Sequence, residues 1–258
     1  MIVELISYRY NMRAQRRLEL MISLVNQTKA DLIVFCGHTL FYQDDIKELI
    51  TRIENFSSTV LFEVKTYKEN KFINMKNCLY LIQNGNIRNL YTHQLFSTSD
   101  EIENNEDLGE RLINELESRR RFQVGDKLCM VIQCGENNII RNIQNEGNRA
   151  AFRFPNRPDL EERFNKLLQH TDIILNPIHT PMGNLDKMKK RMQYLSNNHR
   201  YYFSVSQNGT KRRKDDYYEL SMDSKSLQYA YYNENPIDEI FCDKSNDYIK
   251  RIYKIEKA

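Results

Sequence analysis

The sequence predicts an α/β domain in which strands and helices alternate and pack in layers. Residues 31–35 form a continuous apolar run too short for a helix, which indicates a buried strand. Between Ala14 and Val25, by contrast, apolar residues recur at helical spacing. The turn sequence 84–86, Asn-Gly-Asn, joins two apolar segments and indicates a hairpin. No internal repeat or linker divides the chain, so we expect one domain over residues 1–258, with further strands in 221–258.

The remaining elements follow from the same two periods. Apolar runs or alternating apolar residues predict strands, whose ranges are 2–6, 31–35, 60–64, 78–82, 87–91, 128–132, 173–175 and 201–205. Helical spacing of apolar residues predicts helices, whose ranges are 14–25, 46–53, 108–116, 160–168 and 185–195. The pair Asn176-Pro177 is expected to end its strand, and Asn184 to cap the following helix.

Composition excludes several classes of protein. Hydrophobic residues make up 40% of the 258 residues and charged residues 28%, values typical of a globular enzyme and not of a disordered chain. The net charge of +3 is too small to indicate nucleic acid. No stretch approaches the roughly 20 apolar residues of a membrane helix, and the N-terminus lacks the pattern of a secretory signal.

Cysteine usage predicts a reducing compartment. The five cysteines form an odd set without paired C-x-x-C spacing, and three of them lie in apolar, strand-like runs. Buried thiols are therefore expected, a zinc site is not, and we predict a cytoplasmic protein without a metal or other cofactor.

The segment with the most chemical content is 131–137, Val-Ile-Gln-Cys-Gly-Glu-Asn. A predicted buried strand leads into Cys134, then Gly135 permits a sharp turn, and Glu136 follows. A cysteine at a strand end is held rigidly and can still reach a pocket, where a nearby base or cation can generate its thiolate. A cysteine in an apolar strand is nevertheless more often structural, as expected for Cys129.

Several segments in order resemble the nitrilase (carbon–nitrogen hydrolase) superfamily. Segment 30–35 is similar to the strand before that family's catalytic glutamate, and 77–91 to the hairpin that leads to its lysine. Segment 133–136 resembles its nucleophile turn, 171–177 the next strand, and 188–209 its late helix and strand. The resemblance implies a four-layer α-β-β-α sandwich. It also implies a Glu–Lys–Cys site that hydrolyses amides or nitriles through a thioester, and assembly into homo-oligomers.

The sequence departs from the family at the site itself. Cys36 and Gly37 stand where the family has proline and glutamate, and Thr92 or His93 stands at the lysine position. Gly135 replaces an aromatic residue. The stretch that follows Cys134 is also longer than in the family, as if a loop were inserted around 145–158.

These departures lead to the hypothesis of a rewired thiol hydrolase. His38 would act as base to Cys134, and His93 as proton donor or oxyanion partner, because imidazole titrates near neutrality. Loss of one oxyanion donor costs about 2.7–4 kcal/mol, so a missing lysine could be partly compensated. Glu136, Asn176 and His179 are expected to contact the substrate, with Glu136 also orienting the nucleophile turn. Arg191 is expected on a helix near the site.

Two alternatives stay open. A member of this family that has lost both base and cation could serve as an inactive binding or assembly module, because fold alone does not establish activity. A metal-dependent phosphoesterase could draw ligands from Asn176, His179, Asn184 and Asp186, but it would need several converging carboxylates that the sequence does not reveal.

Overall fold

Two β-sheets packed face to face form the centre of the computed structural model, which describes residues 1–68, 74–181, 185–211, 218–219 and 227–256. The first sheet has eight strands, ordered β17-β18-β1-β2-β4-β5-β6 with β3 beside β4. These strands are β1 (Ile2–Tyr8), β2 (Leu32–Phe35), β3 (Leu40–Tyr42), β4 (Thr59–Lys68), β5 (Asn74–Gln83), β6 (Asn86–His93), β17 (Phe241–Lys244) and β18 (Tyr248–Lys254).

The second sheet has six strands, ordered β16-β15-β12-β11-β8-β7. These strands are β7 (Arg121–Val124), β8 (Lys127–Val131), β11 (Ile173–Ile178), β12 (Tyr201–Ser206), β15 (Gln228–Tyr232) and β16 (Asn235–Pro236). Two small ribbons lie outside the sheets: β9 (Ile140–Ile143) with β10 (Arg149–Phe152), and β13 (Thr210–Lys211) with β14 (Tyr218–Glu219).

Helices cover the outer face of each sheet. They are α1 (Ala14–Gln27), α2 (Asp45–Arg52), α3 (Ser99–Ile102), α4 (Glu106–Ser118), α5 (Pro158–Gln169) and α6 (Leu185–Ser196). One apolar core joins α1 to the first sheet and the first sheet to the inner face of the second, where Val131 and Leu175 lie. A second core joins the outer face of that sheet, at Met130 and Ile174, to α4, α5 and α6. The predicted four-layer α-β-β-α sandwich is thereby confirmed.

Strand β11 runs further than the sequence predicts. Asn176 and Pro177 were expected to end it, yet the strand continues to Ile178. Pairing with β8 stops at Leu175, whereas pairing with β12 continues to Ile178, so Pro177 lies where only one side of the strand has a neighbour. Proline is tolerated at such positions because its missing N–H has no ladder partner. The extension places the next residue, His179, just beyond the carboxyl end of an inner strand of the sheet.

The expected insertion has structure of its own. A 3₁₀ helix (Gln144–Glu146), strand β10 and the approach to α5 together account for residues 144–158. The sequence pattern did not reveal the β9–β10 ribbon, because four-residue strands are too short to establish a period. The cap predicted at Asn184 lies outside the described residues. Within the described ranges no helix combines the length and apolarity needed to cross a membrane.

Candidate functional site

Cys134 lies on a strained turn between a strand and a helix. Strand β8 ends at Val131, and a 3₁₀ helix begins at Cys134 and ends at Ile139. The φ angle of Cys134 is 29°, in a region that residues with a β-carbon rarely adopt. Its side chain is partly exposed, whereas Cys36, Cys78 and Cys129 are buried. Strain of this kind persists only where the surrounding structure imposes it, and it is frequent at functional sites.

Gly135 has no side chain because the chain packs directly against it. A β-carbon at this position would lie 2.0 Å from the carbonyl oxygen of Ser97 and 2.5 Å from its α-carbon. The backbone of Ser97 therefore occupies the space that a side chain would need. This contact explains why the aromatic residue that the family resemblance suggested after the cysteine is absent here.

A buried ion pair holds the same turn. Arg120 and Glu136 are both fully buried and are bonded to each other, while Arg120 also donates to Thr92 Oγ1 at 2.8 Å. Glu136 accepts further hydrogen bonds from the backbone N–H groups of Leu95 and Gln133, at 2.8 and 2.9 Å. Both carboxylate oxygens are engaged, so Glu136 orients the turn and has no free oxygen for a substrate. The expectation of a substrate contact at Glu136 is corrected accordingly.

Glu63, in the middle of β4, is the carboxylate of the site. Its side chain is fully buried and accepts three hydrogen bonds: from the His38 backbone N–H (2.8 Å), from His179 Nε2 (2.7 Å) and from Gln133 Nε2 (2.8 Å). Burial alone would raise the pKa of Glu63. The nearby histidines, His179 foremost, outweigh that effect and hold the pKa well below its usual range.

His179 connects this carboxylate to the cysteine. Its ring is bonded to Glu63, and the Cys134 side chain lies near enough to raise the pKa of the ring. Burial would lower the pKa of His179, but the charge of Glu63, the Cys134 side chain and the bond to Glu63 raise it to about 10. The ring lies so close to Gly37 that a β-carbon there would be 2.2 Å from its Cδ2 atom. Cys134, His179 and Glu63 thus lie next to one another in the order thiol, imidazole, carboxylate.

The ring of His38, which was predicted to be the base for Cys134, stacks on the ring of His179. The two ring centroids are 3.8 Å apart, and His38 Nε2 is bonded to Asn77 Oδ1 at 2.9 Å. Burial lowers the pKa of His38 to about 4, an effect reinforced by the charge on His179 and only partly opposed by Glu63. The His38 ring is therefore neutral near pH 7.

Two side chains donate hydrogen bonds to the backbone at Gly37 and His38. His38 has a φ angle of 55°, again in the left-handed region. The buried guanidinium of Arg17 donates to its carbonyl oxygen at 2.7 Å, and Gln207 Nε2 donates to the carbonyl of Gly37 at 3.0 Å. These bonds stabilise a conformation that would otherwise cost roughly 1–3 kcal/mol.

A cavity of about 380 Å³ opens on Cys134. Its lining combines the nucleophile turn, the residues after β11 and the start of α6, namely Ser99, Cys134, Gly135, Asn137, Asn138, Ile178, Thr180, Pro181, Lys187, Met188 and Arg191. A volume of this size is in the range of small-molecule sites. A larger cavity of about 600 Å³, between the α3–α4 segment and Arg153, shares none of these residues.

Two other sequence expectations need correction. Asn176 is fully buried, and both polar atoms of its side chain are bonded within the protein: its Oδ1 accepts from Asn137 and Tyr202, and its Nδ2 donates to the Ile132 carbonyl. Its side chain is therefore not presented to a substrate. His93 lies at the end of β6, where its carbonyl accepts from Arg120 and the charges that act on its ring are those of Arg120, Glu115, Glu136 and Arg111. The structure places His93 beside the buried ion pair, and His93 is not among the residues that line the cavity of Cys134.

His38, Glu63 and His179 could also be considered as metal ligands. One ligand atom from each lies within 4.8 Å of the others. However, the Glu63 carboxylate already accepts three hydrogen bonds, and an ion would have to displace them. Among the ligands suggested for a phosphoesterase, Asn176 is engaged elsewhere and Asn184 lies outside the described residues.

The sequence analysis missed Glu63, Asn77 and Gln133. Glu63 interrupts the apolar run of residues 60–64. A charged residue between apolar residues of a predicted buried strand was the signal that could have identified it, because buried charges are rare unless they are paired. Asn77, within β5, and Gln133, just after β8, gave no such signal, since a single amide side chain does not interrupt a local pattern.

The chain is similar to known proteins in its fold and not in its sequence. No protein-family model matches the sequence, and no curated protein sequence is similar to it. Among solved structures, the chain is similar to the NitN amidase of Nesterenkonia sp. AN1, with a TM-score of 0.59 and 8% identity over 99% of this chain and 93% of that one. It is similar to XC1258 of Xanthomonas campestris, a CN-hydrolase superfamily protein (TM-score 0.51, 12% identity, 98% and 90% covered).

A third similar structure is the glutamine-dependent NAD(+) synthetase of Cytophaga hutchinsonii, with a TM-score of 0.54 and 10% identity. The match covers 92% of this chain, but the chain spans only 40% of that enzyme's length. At these identities the likeness extends to the fold alone.

Proposed function

Since the chain has the carbon–nitrogen hydrolase fold, we propose that it is a thiol-dependent hydrolase of amide or nitrile C–N bonds, with Cys134 as nucleophile and His179–Glu63 as the acid–base pair. The observation that carries the proposal is the imidazole of His179, which lies between Cys134 and Glu63 and is bonded to Glu63, with Cys134 on a cavity. A cysteine beside a protonated imidazole can be held as a thiolate, the form that attacks carbon.

In the proposed reaction of an amide, the Cys134 thiolate attacks the carbonyl carbon and forms a tetrahedral oxyanion. Collapse of this intermediate breaks the C–N bond, and the His179 imidazolium donates its proton to the departing amine. Neutral His179 then takes a proton from water as the water attacks the thioester. The carboxylic acid leaves, and the thiolate–imidazolium pair is restored.

The roles of the other groups follow from their bonds. Glu63 orients the His179 ring and stabilises its charge, as the carboxylate of a catalytic triad does. His38 takes a positioning role, because its ring is neutral and bonded to Asn77. The lysine suggested by the resemblance has no counterpart at Thr92 or His93, but the cation of Lys187 lines the same cavity and could stabilise the oxyanion.

Thiol labelling tests the proposal. Iodoacetamide would be applied at pH 7, and alkylation would be followed at each cysteine by peptide mass spectrometry. Cys134 should react at least about 10-fold faster than Cys242, the other partly exposed cysteine, and His179→Gln should abolish the difference. Ammonia release from a panel of small primary amides should stop in Cys134→Ser.

Equal, slow labelling of Cys134 and Cys242 in the native protein would overturn the proposal. That result would favour the competing one, an inactive binding or assembly module on the same fold. Homo-oligomerisation, expected from the resemblance, is tested separately by light scattering. A cytoplasmic location also stays a proposal, which the five free thiols support.

A further inference from the structure

Two arginines line the cavity of about 600 Å³ beside the start of α4: Arg141 on β9 and Arg153 just after β10. The Arg141 side chain has no hydrogen bond or ion pair with any described residue, and its Nε is buried. Two neighbouring guanidinium groups repel each other, and a buried cation without an anionic partner is costly. An anion bound in the cavity would offset both costs.

Arg153 is held so that its terminal nitrogens reach this cavity. The residue is only 8% exposed, and its Nε donates to the carbonyl of Asn138. Its Nη1 and Nη2 atoms have no partner in the described ranges, yet the protein does not enclose them, so they face the cavity. Burial lowers the pKa of Arg153, while the charge of Glu103 opposes this effect and that of Arg141 adds to it. A guanidinium fixed at Nε presents its two terminal N–H₂ groups as a fork for an oxyanion.

The first turn of α4 also favours an anion at this place. The helix begins at Glu106, and the side chain of its capping residue, Asn105, accepts from the N–H of Leu108. The N–H groups of Glu106 and Asp107 have no acceptor within the helix. Asn105, Glu106 and Asp107 all line the cavity, so the positive end of the helix dipole lies at its wall.

Acidic side chains lie at the outer rim of the cavity. Glu103 and Asp107 are exposed, whereas Glu106 is paired with Arg157 at 3.5 Å. The arginines are the more buried part of the lining, and the carboxylates are the more exposed part. A purely anionic ligand would be repelled at the rim. The charge distribution therefore fits a ligand with an anionic group at the inner end and a cationic group at the outer end.

We infer that this cavity binds a small phosphate monoester with an ammonium group at its other end. The phosphate lies between Arg141 and Arg153, and the ammonium group lies beside the exposed carboxylates of the rim. Two guanidinium charges match a phosphate monoester better than a carboxylate, because a phosphate monoester carries a charge of about −1.5 to −2 at pH 7. The cavity shares no residue with the one at Cys134, so the inference does not depend on the proposed hydrolysis.

Calorimetric titration with O-phosphoethanolamine tests the inference, and propyl phosphate is a probe of similar size without the ammonium group. Native protein should bind O-phosphoethanolamine about 2- to 5-fold more tightly, the difference expected for an exposed ion pair. Arg141→Gln should weaken the binding of both probes about 10- to 100-fold through the loss of charge-assisted hydrogen bonds. Asp107→Asn should reduce the preference for O-phosphoethanolamine without weakening propyl phosphate.

Two further variants serve as controls. Arg149→Gln changes a residue of the same ribbon that is bonded to Glu146 and does not line the cavity, so both probes should bind as they do to native protein. Lys187→Gln removes a cation from the cavity of Cys134 and should also leave both affinities unchanged. Thermal unfolding of each variant, measured in parallel, separates a lost site from a lost fold.

Three results would overturn the inference or part of it. If neither probe binds to native protein, there is no phosphate site. If Lys187→Gln weakens binding and Arg141→Gln does not, the phosphate lies in the cavity of Cys134 and the assignment is wrong. Equal affinity for the two probes would remove the role of the acidic rim and leave a site for the phosphate group alone.

Discussion

The imidazole rings of His38 and His179 stack at a centroid distance of 3.8 Å and an interplanar angle of 14°. Glu63 Oε1 lies 2.7 Å from Nε2 of His179 and 3.9 Å from Nε2 of His38. Their pKa values are displaced in opposite directions, to about 4 for His38 and about 10 for His179. Two cations at this separation would repel, so the pair carries one proton near neutral pH. His179 holds it because its Nε2 is bonded to the Glu63 carboxylate, whereas His38 Nε2 is bonded to the neutral amide of Asn77.

Replacement of the Glu63 carboxylate by an amide of the same size is predicted to impair acid–base catalysis by His179. In Glu63→Gln the ring loses the charge that stabilises its protonated form, so amide hydrolysis should fall by about 10²- to 10⁴-fold, the usual contribution of acid–base catalysis. The measurement is the hydrolysis rate together with the iodoacetamide rate at Cys134. Gln133→Leu is a suitable comparison, because it removes a hydrogen bond to Glu63 but leaves the carboxylate, and it should lose less.

The stability of the protein is predicted to depend on His179 at alkaline pH. Its pKa is raised from 6.5 to about 10 on folding, so the stabilisation is fully present below pH 6.5 and is lost as the pH rises to about 10. The difference in unfolding free energy between native protein and His179→Gln should therefore shrink between pH 7 and pH 10. Urea denaturation across this range measures it. A difference independent of pH would contradict the protonated state of His179, and His170→Gln, at an exposed histidine bonded to Lys166, is the control.

Gly135 is predicted to admit no side chain without displacing the nucleophile. A β-carbon would meet the backbone of Ser97, so Gly135→Ala should shift Cys134 and slow its labelling by about 10²-fold. Gly147→Ala provides the matched control: it has a φ of 64° but open space around it, and it should lose about 1–2 kcal/mol of stability with labelling unchanged. Equal labelling of both variants would show that the Ser97 contact is not needed.

Removal of one partner of the ion pair Arg120–Glu136 is predicted to lower the free energy of unfolding strongly. Both side chains are fully buried, so Glu136→Gln leaves the Arg120 charge without a partner and should destabilise the protein by about 3–5 kcal/mol. Glu117→Gln breaks the partly exposed pair with Arg163 and should cost about 1 kcal/mol or less. Denaturant titration of the two variants gives the comparison, and similar losses would argue against a buried charge at Arg120.

Much of the architecture was predictable from local pattern. The apolar runs at residues 31–35 and 173–175 and the helical spacing from Ala14 to Val25 correspond to β2, β11 and α1. The resemblance in segment order led to the four-layer sandwich, and the structural comparison confirms it. These features are predictable because the spacing of apolar residues depends on whether a segment is a helix or a strand, and not on which other segments it packs against.

The composition of the candidate site depended on tertiary structure. Cys134 could be singled out from its own segment, since a cysteine followed by glycine at a strand end is a local pattern. Its partners could not: Glu63 and His179 are separated by 116 residues and meet only because β4 and β11 lie in the two facing sheets. The sequence therefore determined the layers and the thiol. Which imidazole and which carboxylate lie beside that thiol was decided by the packing of the two sheets, because contacts between residues far apart in the chain leave no signal in the local sequence pattern.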